Sequence, residues 1–475
     1  MVEANRLDVA LLSVLPGDSL FAVGGRVRDE IRSVLDGRPR PAKDFDYVVV
    51  GLTLDTLIER LRRIGTADVV GAAFAVVKAT IDGTTVDVAL PRRERSTGVG
   101  HREFTVESGP AVPLEDDLAR RDFRMNMIAR SVATGNLVDP FGGQADIRAQ
   151  RIDVLGPNVF ADDPLRMLRA CQFAARLGYA VTATALAAMR EAAPLVASVS
   201  PERIRDELIK LLGAPRPSVG IELMRESGLL AYVLPEVAEG IGVTQNVYHA
   251  FDVYHHALAT LDATPIGDLT LRFAALLHDV AKPRTKTTED GEEFAHFYRH
   301  DVVGEGMARE ILLRLRLSTE SVENVARLVR HHMYAADPML EEKTLRRFVR
   351  RIGAELLAQQ FELRAADIVG SGLPKRDDAN ERYEERVWTI VRQEPPLSVG
   401  DLAVSGTDVL AALQRASGSA VRGGPEVGRI LRGLLERVID DPALNERDAL
   451  LSLLESSAPT LALESFHGKH NGETE

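Results

Sequence analysis

Lys43-Asp44-Phe45-Asp46-Tyr47-Val48-Val49-Val50 sets two carboxylates one residue apart at the head of an apolar run. Residues i and i+2 of a strand point to the same face, and Tyr47 to Val50 has the make-up of a buried strand. Asp44 and Asp46 can therefore reach the same one or two divalent cations. Upstream, Ser19-Leu20-Phe21-Ala22-Val23 reads as another buried strand. It ends at Gly24-Gly25, where backbone N–H groups can approach a phosphate closely. Arg28 and Asp29 then open a helix that Gly37 is placed to cap. A surface hairpin with two solvated acids is the alternative for an isolated Asp-x-Asp. The Gly pair one short helix upstream favours a site that holds a nucleoside triphosphate with Mg²⁺ for in-line attack on the α-phosphate.

At 475 residues the chain can form two to four domains. Aromatic residues make up 5% of it, too few for extended base-stacking platforms. A single cysteine, Cys171, excludes an internal disulfide and fits a reducing compartment. With no apolar leader near the N-terminus and no run of membrane-spanning length, the expectation is a cytoplasmic protein with no membrane partner. The net charge of −12 argues mildly against a nucleic-acid partner. Local patches can overrule that sum, and Arg60 to Arg63, Arg92-Arg93, Arg120-Arg121 and Arg346 to Arg351 are candidates.

Residues 19 to about 150 alternate short apolar strands, such as Ala73–Ile81 and Thr84–Leu90, with helical stretches, an α/β pattern. Beyond about residue 155 helical periodicity dominates: Asp163–Leu177, Thr182–Ala192, Pro201–Leu212, Pro217–Ser227 and Leu269–Leu277. The expected architecture is an α/β head on a long all-helical body.

Three further blocks bear on chemistry. In Arg120-Arg121-Asp122-Phe123-Arg124-Met125-Asn126 a helix would put Asp122 and Asn126 on one face. They can hydrogen-bond a ribose while Arg121 reaches a triphosphate; a plain amphipathic helix is the alternative. Asp139-Pro140-Phe141-Gly142-Gly143 is a tight turn closing the head. In Asp162-Asp163-Pro164-Leu165-Arg166, Pro164 suits the first turn of a helix and one acid its N-cap. The other acid is free to pair with Arg166. An Asp acceptor beside an Arg donor matches the Watson–Crick edges of C and A, which show an amino donor next to a ring-nitrogen acceptor.

These blocks, in this order, resemble the bacterial class II tRNA nucleotidyltransferase and poly(A) polymerase family, the CCA-adding enzymes. The resemblance covers about residues 19 to 215. It implies a polymerase-β-like nucleotidyltransferase head, then an all-α neck, body and tail. It implies addition of C and A to the 3′ end of tRNA from CTP and ATP. By the same resemblance Gly24, Gly25 and Arg28 would bind triphosphate, and Asp44 and Asp46 would hold catalytic Mg²⁺. Arg121, Asp122 and Asn126 would orient ribose and phosphates. Asp163 and Arg166 would read the base, with Arg169 beside the nucleotide. Departures are Asp162-Asp163 where Glu-Asp is usual, Gln172 where a third arginine is common, and Arg124-Met125-Asn126-Met127 where Thr-Ile-Asn-Ala is usual. They leave open a CC-adding, A-adding or poly(A)-forming product. Asp87 sits where superfamily members often carry a third carboxylate, with a structural role as the other reading.

Eight of the 11 histidines fall between His249 and His332, a clustering that suggests a second metal site. His278-Asp279, after His256 and before His300, resembles the HD superfamily of metal-dependent phosphohydrolases. That resemblance implies a divalent metal (Mn, Ni, Co or Fe) on His256, His278, Asp279 and His300. A phosphohydrolase as the main activity is the alternative from another class. The resulting division is a head over 1–150, a neck that binds RNA and nucleotide over 151–245, and an HD domain over 246–372. A helical tail over 373–465 and a disordered end over 466–475 follow.

Overall fold

The strand expected at Ser19–Val23 forms as Leu20–Val23 at the heart of a seven-stranded sheet in the computed structural model. The structure describes residues 6–40, 45–70, 76–96, 104–288, 295–374, 377–417 and 423–456. Asp44 and the 466–475 end lie outside them. The strands of the head, in chain order, are β1 (Leu20–Val23), β2 (Asp46–Val49), β3 (Thr66–Val70), β4 (Val76–Ile81), β5 (Thr84–Ala89), β6 (Arg92–Ser96), β7 (Phe104–Ser108), β8 (Ala129–Ser131) and β9 (Leu137–Val138). The large sheet runs β3-β4-β5-β2-β1-β8-β9, and β6 pairs with β7 separately. Only β2 and β5 are parallel in the large sheet, and their register sets Asp46 beside Asp87. Period-two alternation sends Tyr47 and Val49 into the main core. Val48, on the face of Asp46, joins a smaller cluster with Leu114, Leu118 and Met127.

Helices of the head are α1 (Arg6–Leu12), α2 (Gly25–Asp36), α3 (Leu54–Leu61), α4 (Leu114–Ala119) and α5 (Gly143–Arg148). Helix α2 ends where the sequence places its cap, at Gly37 in the left-handed region (φ 67°). The expectation for Asp122 and Asn126 is corrected. Helix α4 stops at Ala119, Phe123 is extended (φ −133°, ψ 146°), and Arg124–Asn126 is a single 3₁₀ turn. The buried Phe123, Met125 and Ile128 explain the break, because a continuous helix could not deliver all three to the core.

A buried charge network fixes the start of α2 against the sheet. Arg26 donates to both oxygens of Asp8 (2.9 and 2.7 Å) and to Glu30 (2.9 Å). Tyr47 Oη donates to Asp8 at 2.6 Å, and Arg130 donates to Glu30 at 2.8 Å and to Asp8 at 3.3 Å. Asp8 has no exposed surface. Burial pushes its pKa up, and the Arg26 and Tyr47 hydrogen bonds with the two arginine charges more than offset that, so the carboxyl lies below its ordinary value.

The helical remainder follows as α6 (Val159–Asp162), α7 (Leu165–Leu177), α8 (Ala183–Ala192), α9 (Pro201–Leu212), α10 (Pro217–Glu226), α11 (Leu230–Val233), α12 (Pro235–Ala238), α13 (Val253–Ala263), α14 (Leu269–Leu277), α15 (Lys282–Thr285), α16 (His300–Arg314), α17 (Thr319–His331), α18 (Glu342–Ile352), α19 (Leu357–Gly370), α20 (Ala379–Arg392), α21 (Gly406–Ser417) and α22 (Pro425–Asp440). Strand structure does not vanish after residue 155. Ala180–Val181 pairs in parallel with Arg151–Ile152, and Lys286–Thr287 pairs with His296–Phe297. One apolar core runs from Leu7 to Ile390, and α21 and α22 have their own. Arg346 Nε and Nη2 donate to the terminal carbonyls of α22 at Ile439 (2.6 Å) and Asp440 (3.0 Å). Arg347 pairs with Asp440 and Arg350 with Glu436. The basic run from Arg346 therefore joins tail to body rather than forming an open nucleic-acid patch.

Replacing Asp8 by Asn should destabilise the head by about 3–5 kcal/mol at neutral pH, because two buried arginines are left sharing the single counter-charge of Glu30. Denaturant unfolding of both proteins checks this. A group with a depressed native pKa contributes stability above its unfolded value of about 3.9 and loses it as pH falls through the native value. The gap between the two proteins should therefore close only in acid, below the ordinary carboxylate range.

Candidate functional site

Two sites emerge, one between head and neck and one inside the body. The first is a cavity of about 900 Å³ lined by α2, the end of β2, the Asp122 bend, α7 and α9. Eleven of its lining side chains are cationic and five acidic, on a protein whose net charge is −12. A cleft of one sign concentrates ligands of the other. This cleft is built for an anion.

Gly24 takes φ 73°, and a Cβ there would lie 3.1 Å from Arg121 Nη1 and 3.5 Å from Asp46 Oδ2. The turn thus brings its backbone against both the cation and the carboxylate, a close approach that glycine permits. Asp46 and Asp87, paired in parallel register, project from the same sheet face and are each half-buried. Such oxygen donors suit a hard divalent cation.

Asp122 joins head to neck. Its Oδ1 accepts from Asn126 Nδ2 (2.8 Å) and from the Phe123 N–H (2.9 Å), and its Oδ2 accepts from Arg169 Nε (2.8 Å). Asn126 Oδ1 in turn accepts from the buried Arg28 (2.8 Å). Burial disfavours the Asp122 carboxylate, but the Arg169 charge and the Asn126 hydrogen bond outweigh it and hold the pKa below its usual value. Asp122 and Asn126 do share a face, through the 3₁₀ turn rather than a helix. Arg28, Arg169 and Arg176 all lie over the Phe173 ring, 5.1 to 5.5 Å from its centre. Burial, and then the charge of Arg28, pull the Arg176 pKa down.

The expected pairing of Asp163 with Arg166 is corrected. Asp163 Oδ1 accepts from the Leu165 N–H at the start of α7 (3.2 Å), so it is an N-terminal cap, while Oδ2 accepts from Arg203 on α9 (2.8 Å). Arg166 donates to the carbonyls of Arg120 (2.6 Å) and Val159 (3.4 Å). Both side chains line the same cavity, each held by a separate partner. Arg203 was not singled out in the sequence because its partner lies 40 residues away on another helix. Gln172, the departure from the family pattern, lines the cavity with a buried Nε2 that has no hydrogen-bond partner.

The second site gathers His256 from α13, His278 and Asp279 after α14, His300 at the start of α16, His332 after α17 and Asp367 from α19. His332 and Asp367 join the four residues expected from sequence. Nothing near Asp367 marks it locally, and only packing of α19 against α13 brings it in. His278, His300 and His332 each have Nδ1 at 2.7 to 2.8 Å from the carbonyl three residues back. Donation of Nδ1–H there leaves each Nε2 as a lone pair facing inward, the tautomer of a metal ligand. His256 and His278 face each other Nε2 to Nε2 at 3.0 Å, a contact that two bare lone pairs disfavour and a shared cation stabilises. The donors fit a divalent cation. Burial lowers the His256 pKa, but its hydrogen bonds to the Asp279 and Asp367 carboxylates raise it to about 9. His249 lies against His256, and burial, then the Lys282 charge, bring its pKa to about 4. His255 is spent on Asp252 instead. A cavity of about 560 Å³ opens from this cluster, and a more apolar one of about 610 Å³ adjoins it. Arg364 and Asn380 line both, each with a buried polar atom lacking a hydrogen-bond partner.

Against known proteins, residues 20–153 match the poly A polymerase head domain, 178–241 the probable RNA- and SrmB-binding site of polymerase A, and 246–371 the HD domain. The multifunctional CCA protein of Pseudomonas aeruginosa is 34% identical over 419 residues, covering 85% of this chain and 97% of that protein. The A-adding tRNA nucleotidyltransferase of Deinococcus radiodurans is 37% identical over 337 residues, covering 68% and 75%. In fold the chain resembles the Bacillus stearothermophilus CCA-adding enzyme crystallised with CTP, at a TM-score of 0.68, 22% identity and 97% and 100% coverage. A Thermotoga maritima CCA-adding enzyme complexed with tRNA gives a TM-score of 0.54 at 18% identity, covering 96% and 97%. The chain belongs to the CCA protein family, which joins a poly(A) polymerase head to an RNA-binding neck and, here, an HD domain. Nucleotidyltransferase and HD domains both imply divalent metal use, and the body holds a cluster of donor side chains. No described helix is long and apolar enough to cross a membrane.

Proposed function

We propose that this chain is a tRNA nucleotidyltransferase that adds C and A to the 3′ end of tRNA from CTP and ATP, acting in the cytoplasm. The observation that carries this reading is the cationic cleft that the Gly24 turn, Asp46, Asp163 and Arg166 line together. The close relation to CCA proteins selects the reaction within that chemistry.

Asp46, with Asp44 and the adjacent Asp87, would hold Mg²⁺. Bound there, the cation lowers the pKa of the attacking 3′-hydroxyl and offsets charge on the leaving pyrophosphate. The Gly24-Gly25 backbone and Arg121 bind the triphosphate, with Arg28 supporting Asn126 from below. Asn126 and Asp122 face the ribose, and Arg169 keeps Asp122 ionised and oriented. Asp163 accepts from the exocyclic amino group of C or A, and Arg166 donates to the neighbouring ring nitrogen. U and G present the opposite order, so neither protein group gains a hydrogen bond from the base. Arg203 holds the second oxygen of Asp163, so the carboxylate stays aimed when no base is present. Residues 1–150 act as the catalytic head, 151–245 as the neck, 246–372 as the HD domain and 373–465 as the tail.

Addition of A alone is a second reading, favoured by the 37% identity to the Deinococcus A-adding relative. Transcripts of tRNA ending before CCA, after C and after CC, each incubated with one labelled nucleotide, separate the two. CMP incorporation on the first two substrates supports CCA addition, and AMP incorporation on the third alone supports A addition. The body cluster supports a further phosphohydrolase activity on phosphate esters at RNA ends, using Mn, Ni, Co or Fe.

Asp46→Ala should abolish nucleotide addition while tRNA binding, read by filter retention or fluorescence anisotropy, survives, since the carboxylate acts on cation and triphosphate. Arg203→Ala should lower discrimination against UTP and GTP by roughly tenfold to a hundredfold, the equivalent of about 1–3 kcal/mol for an unpaired group. Arg203→Lys should restore part of it. A uniform fall in rate with selectivity intact would make Arg203 a packing residue only.

A further inference from the structure

The bend that presents Asp122 and Asn126 to the cleft is one 3₁₀ turn, Arg124–Asn126, after an extended Phe123. A single turn has too few hydrogen bonds of its own to hold a geometry, so its position comes from what grips it. Asp122 and Asn126 line the cleft, whereas Arg124, midway between them, does not. Its Nε and Nη2 donate instead to the two oxygens of Asp146 on α5 (2.9 and 3.0 Å), a carboxylate with no exposed surface. Arg124 Nη1 lies 3.4 Å from Asp153 Oδ2, and the Arg124 N–H donates to the Asp153 carbonyl at 3.0 Å. The Arg124 carbonyl lies against Gly143, where a Cβ would overlap it. Asp139 fixes that end of α5 by accepting from the N–H groups of Gly143 and Gln144 (2.7 and 2.9 Å). The turn is thus clamped from behind by a side chain that never meets the nucleotide. Threonine, the usual residue of the family pattern at this position, is too short for such a grip. A bidentate pair of arginine and carboxylate fixes orientation as well as distance.

We propose that Arg124 is a positioning residue for sugar recognition: by gripping Asp146 it holds the Asp122–Asn126 turn where it reads the 2′-hydroxyl of the incoming nucleotide. The proposal rests on the reading of Asp122 and Asn126 as ribose contacts. A site built to hydrogen-bond a hydroxyl rejects the analogue that lacks it, because its polar groups are then left unpaired. The 2′-hydroxyl is the group that separates ribonucleotides from deoxyribonucleotides. Base choice should not pass through this clamp, since Asp163 is held by Arg203, and Arg166 by the carbonyls of Arg120 and Val159.

The test compares kcat/KM for CTP and deoxy-CTP on a tRNA transcript ending before CCA, with melting followed for every variant. The wild type should favour CTP. Arg124→Gln and Arg124→Thr should each lower that preference roughly tenfold, the scale of coupling within one hydrogen-bonded network, chiefly by raising the KM for CTP. Discrimination against UTP should stay as it is. Arg124→Lys, which keeps the charge but not the fork, should recover part of the sugar preference. Asp146→Asn should match Arg124→Gln, and combining the two should lower the preference no further. An unchanged sugar preference in any cooperatively melting variant that breaks the pair, whether at Arg124 or at Asp146, overturns the proposal. So does a parallel fall in sugar and base selectivity, the result of a general loosening of the head. A wild type that uses both sugars equally removes the ribose reading of Asp122 itself, and the proposal with it.

Discussion

The carboxylate of Asp122 is the joint on which the nucleotide site depends. It is buried and ionised, and it accepts from Asn126 and Phe123 on the head and from Arg169 on the neck. Removing such a group from water is costly, and only the donors arrayed around it make the charged form stable. The same contacts fix the relation between the sheet carrying Asp46 and the helix carrying Arg166. A nucleotide bridging the two meets a cleft whose walls are already registered.

Charge distribution resolves the conflict between an acidic protein and a polyanionic ligand. Several arginines that look available in the sequence are committed elsewhere. Arg346 caps α22, and Arg93 pairs with Asp116. Of those left in the cleft, Arg28, Arg169 and Arg176 gather over the Phe173 ring. A cleft lined mostly by cations draws an anionic ligand whatever the net charge of the whole chain. The head itself is held by the opposite device, in which Asp8 and Glu30 neutralise Arg26 and Arg130 away from solvent.

The body cluster shows how a metal site can be specified by backbone carbonyls. Three imidazoles have the carbonyl three residues upstream next to Nδ1, so the helix ends themselves select the tautomer. The side chains then present Nε2 without help from a wider polar network. Such a site can sit inside an apolar helical bundle, as this one does among Leu276, Val329 and Met307.

Local pattern in the sequence was enough for the α/β head, the Gly24-Gly25 turn, the Asp46 strand and the helices at Pro201–Leu212 and Leu269–Leu277. These depend on periodicity, glycine and caps that act within a few residues. The clustering of histidines likewise announced a second centre, since four of its ligands fall in one recognisable stretch. Tertiary structure alone decided the rest. The need to bury Phe123, Met125 and Ile128 broke the helix expected through Asp122. Arg203 took the carboxylate of Asp163 across the gap between two helices. Asp87 came beside Asp46 by strand register, and Asp367 reached the histidines by packing of α19 on α13. Each of these pairs lies far apart in the chain, and the energy that joins them comes from burial shared by whole elements, which no short window of residues records.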